Sequence, residues 1–305
     1  MPERSLVIGF MPTQAGNDAV RLGRAMAEVT AAVPVVASVL PWPRHLMGAD
    51  DLERALEAGT KRDFAAVAEE LVGLGPEFRA VAHPSAAEAL QDIAQATRAE
   101  MIVIGSAHRG PVGRTLLGTT GHSLLYGAPC PVAIAPKGYA EADAAMRVVG
   151  IAFDGSAPSW AALETGIGIA ERLHAVLEVV VVAEPPRYGY TEAFGVLSGE
   201  GLRVAEQSEK TRLIKLAEDR VPPDLEVRSR RPTGNAGRML AEASRELDLL
   251  ICGSRGYGPL LQTALGSTTR ALIDHAECPV LVLPRGKGLD PLRLGTGPRA
   301  AVSAA

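Results

Sequence analysis

Gly253-Ser254-Arg255-Gly256 runs on through Tyr257-Gly258-Pro259 and, with nine residues between it and Gly256, reaches Gly266-Ser267-Thr268. The apolar run Asp248-Leu249-Leu250-Ile251-Cys252 just before it predicts a buried strand, and Thr269 to His275 just after it predicts a helix. A strand, a glycine-rich loop and a helix N-terminus in that order make a place for an anion. Glycines take side chains out of the way, so backbone N–H groups can approach phosphate oxygens, and the positive end of the helix dipole adds to the pull. Ser267 or Thr268 could cap the helix, donate to a phosphate, or both. The competing reading is a surface turn, for which Gly is the usual residue.

Working outward, the same signature occurs earlier in the chain. Gly105 and Gly253, Gly118 and Gly266, Cys130 and Cys278, and Pro84 and Pro232 are all 148 residues apart (253 − 105). The first strands, Leu6 to Phe10 and Val148 to Phe153, correspond at a slightly smaller offset, so an insertion or deletion lies between. A repeat of this length means two copies of one domain. Within the first copy, strands are expected at Ser5 to Phe10, Val33 to Leu40, Phe78 to Ala82, Met101 to Ile104 and Pro131 to Ala135. Helices are expected at Asp18 to Val29, Asp51 to Leu74, Pro84 to Ala99 and Thr119 to Tyr126. Strictly alternating strands and helices predict an α/β fold: two tandem doubly wound domains, each a five-stranded parallel sheet of order 3-2-1-4-5 with helices on both faces. The expected boundaries are 1–137 and 147–286, with an Ala- and acid-rich linker from Gly138 to Met146 and a disordered tail over 287–305.

Composition narrows the function. The chain has 305 residues, 47% hydrophobic and 22% charged, enough for a core in each half. Aromatics are 4% and the net charge is −4, which argues against a nucleic-acid surface. No apolar run has the length of a membrane span, and the N-terminus lacks the pattern of a signal peptide, so a cytoplasmic location without membrane contact is expected. Three cysteines without a CxxC pair make no disulfide framework, and Cys130 and Cys278 read as small packing residues. His108 and His122 lack zinc spacing, and no GxxxxGK[ST] occurs. Arg109, Arg114 and Arg255 stand in the glycine loops, within reach of a phosphate or simply solvated. Arg228, Arg230 and Arg231, at the end of the third strand of the second half, read as an anion attractor or as a plain charged edge.

In an open parallel sheet of this order, ligands sit at the carboxyl ends of strands one and four, where strand order reverses. The loop after strand one of the second half is Asp154-Gly155-Ser156, and the loop after strand four is the glycine loop. One crevice thus receives a carboxylate and a phosphate cradle, which suits a nucleotide. Asp154 could accept hydrogen bonds from a ribose or an adenine amine; the alternative is a turn residue or a cap for the helix near Pro158.

On these residues both halves resemble universal stress protein domains. In the second half the Gly-x-x-Gly, nine residues, Gly-Ser motif is intact. The resemblance implies an ATP-binding stress-response regulatory protein. Gly253, Ser254, Arg255, Gly256, Gly258, Gly266, Ser267 and Thr268 would lie around phosphates and ribose, Asp154 and Gly155 after strand one, and the backbone of Val182 beside the adenine. It implies adenine nucleotide as ligand, allows Mg²⁺ and slow hydrolysis, and assigns no catalytic residue. In the first half Met11 stands where the second has Asp154, and His108 where it has Gly256, so that site reads as eroded. Family members pair through their last strand, so the two halves are expected to join edge to edge, antiparallel, as an intramolecular pseudo-dimer, with a further homodimer allowed. The alternatives are an ATP-using enzyme of the adenine-nucleotide-binding α/β group and a scaffold without ligand.

Overall fold

Short runs of Val, Ile, Leu and Ala, buried on both faces, make the inner strands, as parallel sheets covered by helices require, while the edge strands Glu77–Ala82 and Val227–Arg230 are charged and more exposed. In a computed structural model that describes residues 4–40, 49–106, 118–142, 145–183, 199–254 and 266–284, the first half runs β1 (Ser5–Phe10), α1 (Gln14–Thr30), β2 (Val33–Leu40), α2 (Ala49–Ala68), β3 (Glu77–Ala82), α3 (Ala86–Thr97), β4 (Ile102–Gly105), α4 (Thr119–Gly127) and β5 (Val132–Ala135). The second half repeats the order: β6 (Val148–Ala152), α5 (Ala157–Leu173), β7 (Val176–Val180), α6 (Gly199–Glu218), β8 (Val227–Arg230), α7 (Ala236–Ala243), β9 (Leu249–Gly253), α8 (Ser267–His275) and β10 (Val280–Leu283).

All ten strands join one sheet, β3-β2-β1-β4-β5-β10-β9-β6-β7-β8. Every pairing is parallel except the central one, where Val280, Leu281 and Val282 lie antiparallel to Ile134, Ala133 and Val132. The expected edge-to-edge junction through the last strands is therefore present. It removes the two bare edges that short apolar strands would otherwise expose. The pleat sends alternate residues to opposite faces. Leu6, Ile8 and Phe10 pack with α1 and α2, and Ile151 and Leu249 with α5 and α6, in one apolar cluster. Val7, Val35 and Ile102 pack under α3 and α4, and Leu250 and Val280 under α7 and α8, in the other.

Local signals set the helix ends. Thr13, Ser85 and Asn235 cap α1, α3 and α7 by accepting from the N–H groups of Gly16, Glu88 and Arg238 at 3.1–3.3 Å. The chain leaves α2 at Ala68, short of the expected Leu74, and passes Gly73 and Gly75 with φ of +89° and +62°. The linker is also more ordered than its composition suggests. Tyr139–Glu141 forms a 3₁₀ turn, and the buried Asp18 of α1 accepts from the N–H groups of Gly138 at 3.0 Å and Ala140 at 2.8 Å. The tail over 287–305 lies outside the described residues.

Candidate functional site

The second half places its strand-one and strand-four loops side by side. β6 lies between β9 and β7, with Ile151 opposite both Ile251 and Val179. From β6 the sheet grows one way through β7 and β8, then the chain crosses back to β9, so β6 and β9 flank the point of reversal. Asp154 and Ser254 each stand three residues beyond that paired rung, at the carboxyl ends of neighbouring strands. Thr269 Oγ1, in the first turn of α8, donates to the carbonyl of Gly253 at 3.3 Å, which pins the N-terminus of α8 to the end of β9.

Asp154, Gly155 and Val182 have definite local surroundings. Asp154 Oδ1 accepts from the backbone N–H of Ser156 at 3.0 Å and from its hydroxyl at 2.5 Å, so the turn function open in the sequence is real. Gly155 sits at φ +76°, and a Cβ there would come within 2.7 Å of Leu213 Cδ2 on α6. Val182 lies two residues beyond β7. Its neighbours Val181 and Ala183 donate to the carbonyls of Arg230 and Pro232 on the β8 side, at 3.0 and 3.3 Å. Strand alternation turns the peptide groups of Val182 the other way, towards β6, and among the described residues they have no hydrogen-bond partner.

Three expectations change. Gly253 reads as a phosphate approach in sequence, yet a Cβ on it would lie 2.4 Å from Pro158 Cβ and 2.9 Å from the Pro158 carbonyl carbon and oxygen. Its missing side chain makes room for the first turn of α5. Gly105 does the same for α1, where a Cβ would meet the Ala15 carbonyl oxygen at 1.9 Å. Ser254 donates its N–H to the Leu283 carbonyl at 2.8 Å, so that donor is already spent on β10. Finally, Ser267 and Thr268 do not cap α8. Gly266 holds the cap position with no side-chain bond, and Ser267 and Thr268 are already helical. The first N–H groups of α8 are therefore left for another acceptor. Arg255, Gly256 and Gly258, with His108 in the first half, lie outside the described residues.

Arg228 and Arg230 on β8 are held by acids, and Arg231 donates to the Thr211 hydroxyl at 3.4 Å. Arg230 bonds Glu178 at 2.7 Å and Glu246 at 2.8 Å, and Arg228 bonds Glu226 at 2.7 Å. This supports the charged-edge reading. The three cysteines are buried and free. Burial pushes the Cys252 thiol up to about 12 from its usual 9.0, and drives Cys278 up as well. Native protein at pH 8 is expected to resist thiol-specific reagents, with all three thiols reacting once it is denatured; rapid labelling of the folded chain would contradict this. Because the folded thiol at Cys252 ionises later than the unfolded one, its contribution to stability is complete below about pH 9 and is lost as the pH rises towards 12.

Comparison with known proteins agrees with this fold. The model of the universal stress protein family matches twice, at residues 4–136 and 146–284. A universal stress protein of Mycobacterium tuberculosis is 25% identical over 296 residues, covering 92% of this chain and 99% of that protein. A second from the same organism is 33% identical over 187 residues, 60% of this chain and 61% of that one. Among solved structures, a universal stress protein from Archaeoglobus fulgidus superposes with a TM-score of 0.68 at 19% identity, covering 94% of this chain and all of that one, which shows a shared fold. With both halves matched by one family description, the chain belongs to the universal stress protein family as a tandem, two-domain member.

Proposed function

We propose that the second half binds one adenine nucleotide, ATP, in the crevice between the carboxyl ends of β6 and β9, and that the protein acts in the cytoplasm as a nucleotide-responsive regulator rather than a turnover enzyme. The observation that carries the reading is the unsatisfied peptide of Val182, turned towards the same strand end that presents Asp154. A peptide N–H and C=O side by side match the donor–acceptor edge of adenine. Asp154 would take the ribose hydroxyls while keeping the turn to Ser156. The phosphates would lie at the glycine-capped N-terminus of α8, among Gly266, Ser267 and Thr268, and the motif assigns Arg255, Gly256 and Gly258 to the same phosphates. Gly253 and Ser254 would support the cradle through packing and through β10 rather than by donating to phosphate. Mg²⁺ would accompany the phosphates from the solvent side.

Two substitutions at Asp154 separate its roles. Asp154→Asn keeps an acceptor for the Ser156 N–H but removes the charge; Asp154→Ala removes both. Each is expected to weaken ATP and adenosine by similar factors, roughly ten- to a hundredfold, because hydrogen bonds to a charged group carry about 1.5–3 kcal/mol. Asp154→Ala alone is expected to lower the melting temperature. The direct test is the nucleotide released when purified protein is denatured: adenine nucleotide from the parent and none from Asp154→Ala supports the reading. Parent protein that carries no nucleotide and fails to bind added ATP favours a ligand-free scaffold. Substrate-dependent release of pyrophosphate would instead make the protein an ATP-using enzyme.

A further inference from the structure

The internal repeat allows the two halves to be compared position by position. α1 and α5 each span 17 residues and are offset by 143 (157 − 14), and α2 and α6 each span 20 and are offset by 150 (199 − 49). An ion pair checks the alignment. Arg21 on α1 bonds Glu70, just beyond α2, at 2.6 Å; at the equivalent positions Glu164 on α5 bonds Arg220, just beyond α6, with the charges exchanged.

Between α1 and α2 the first half has an open cavity of about 540 Å³. Its apolar side is formed by Pro12, Ala66 and Ala140, and its polar side by Asn17, Arg21 and Asp63. At the matching positions in the second half, Asn17 is replaced by Trp160 and Asp63 by Leu213. Trp160 stands edge-on to Phe153, the counterpart of Phe10, with ring centroids 4.9 Å apart, and Leu213 packs over Gly155. The second half thus fills with an indole and an isobutyl group the positions that the first half leaves to short polar side chains.

Those side chains are not consumed by the fold. Asp63 makes no hydrogen bond or ion pair with any described residue, and Arg21 Nε is buried without an acceptor while its Nη1 holds Glu70. A buried donor without a partner costs stability, and an apolar substitution such as the Leu of the second half would have avoided the carboxylate. With Arg21, Asp63 and Glu70 together the wall carries one net negative charge. The volume is within the 300–1,000 Å³ usual for small-molecule sites, and an apolar wall with few convergent polar groups is their usual lining.

We propose that the first half binds a small organic cation in this cavity. Its ammonium pairs with Asp63, its apolar body lies against Pro12 and Ala66, and an acceptor atom accepts a hydrogen bond from the Arg21 Nε–H. The half that lacks the carboxylate after strand one, with Met11 in its place, would then carry a different ligand, between α1 and α2. The site is independent of the nucleotide reading, since it lies in the other half.

Isothermal titration of the full chain with tyramine, and with 4-hydroxyphenylacetate as the same body bearing a carboxylate, tests this. Tyramine is expected to bind saturably at one site, with the carboxylate probe at least roughly tenfold weaker. Asp63→Asn, which keeps the volume, is expected to weaken tyramine by roughly tenfold or more. Asn17→Trp and Asp63→Leu, which copy the second half, are expected to abolish binding. The two filling variants are alternatives, so a melt that shows one of them unfolded leaves the other to decide. No saturable tyramine binding to the parent, equal binding of the carboxylate, or binding unchanged in Asp63→Asn and in a folded filling variant would each overturn the proposal.

Discussion

Gly253→Ala is expected to destabilise the protein by about 3 kcal/mol, near the top of the usual range for overpacking. The added Cβ would fall 2.4 Å from Pro158 Cβ and 2.9 Å from its backbone carbonyl. The far end of a flexible side chain could swing aside, but a proline in the first turn of α5 cannot. The helix would have to lift off β9, and with it Ala162, Leu163 and Ile169, all fully buried beneath it. The same shift would pull on the Asp154–Ser156 turn that precedes α5, so nucleotide affinity should fall with stability. A melting temperature lower by on the order of 5–10 °C is expected from such a loss. A variant that melts like the parent would mean that the close approach of α5 to β9 is not what requires glycine there. On the proposed reading Gly256→Val should behave differently, weakening ATP more than adenosine, because it would act on the phosphates alone.

Leu281→Asp should have the larger effect. Leu281 is fully buried on β10, opposite Ala133 of β5 across the one antiparallel pairing of the sheet. A carboxylate there would lose water and gain no partner among apolar neighbours. Leaving a charge uncompensated in a core costs several kcal/mol, on the order of 3–5 by the measure of broken buried ion pairs. Since β5 and β10 join the two halves at the centre of the sheet, the expected outcome is a chain that is unfolded or aggregated at room temperature, or one whose halves melt in separate steps. Urea titration followed by circular dichroism reads either result. A single parent-like transition would show that the junction contributes little to holding the halves together.

Much of this architecture could be read from residue order alone. The 148-residue repeat and the alternation of β-branched runs with amphipathic stretches predict the two-fold tandem α/β design, while the pairing of last strands follows from the resemblance to a family whose members pair that way. What the sequence hides is tertiary. Gly253 looks the same whether its missing side chain admits a phosphate or Pro158, and only the position of α5 tells which. The linker reads as small and acidic, yet Asp18, 120 residues before Gly138, caps it. The capping expectation at Ser267 and Thr268 fails because Gly266 is extended and already serves as the boundary, so both hydroxyl residues fall inside the helix. The polar pair Asn17 and Asp63 looks unremarkable on two charged helices until the repeat sets it against Trp160 and Leu213.

The central claim is that nucleotide binding belongs to one half, at Asp154 and the peptide of Val182, and not to the half that carries Met11 and His108. Equilibrium dialysis of ATP against the full chain measures it most directly. One tight site per chain, lost in Asp154→Ala and unaffected by substitution of the half-exposed Met11, is the predicted result; two equal sites, or one that survives Asp154→Ala in a folded protein, would contradict it.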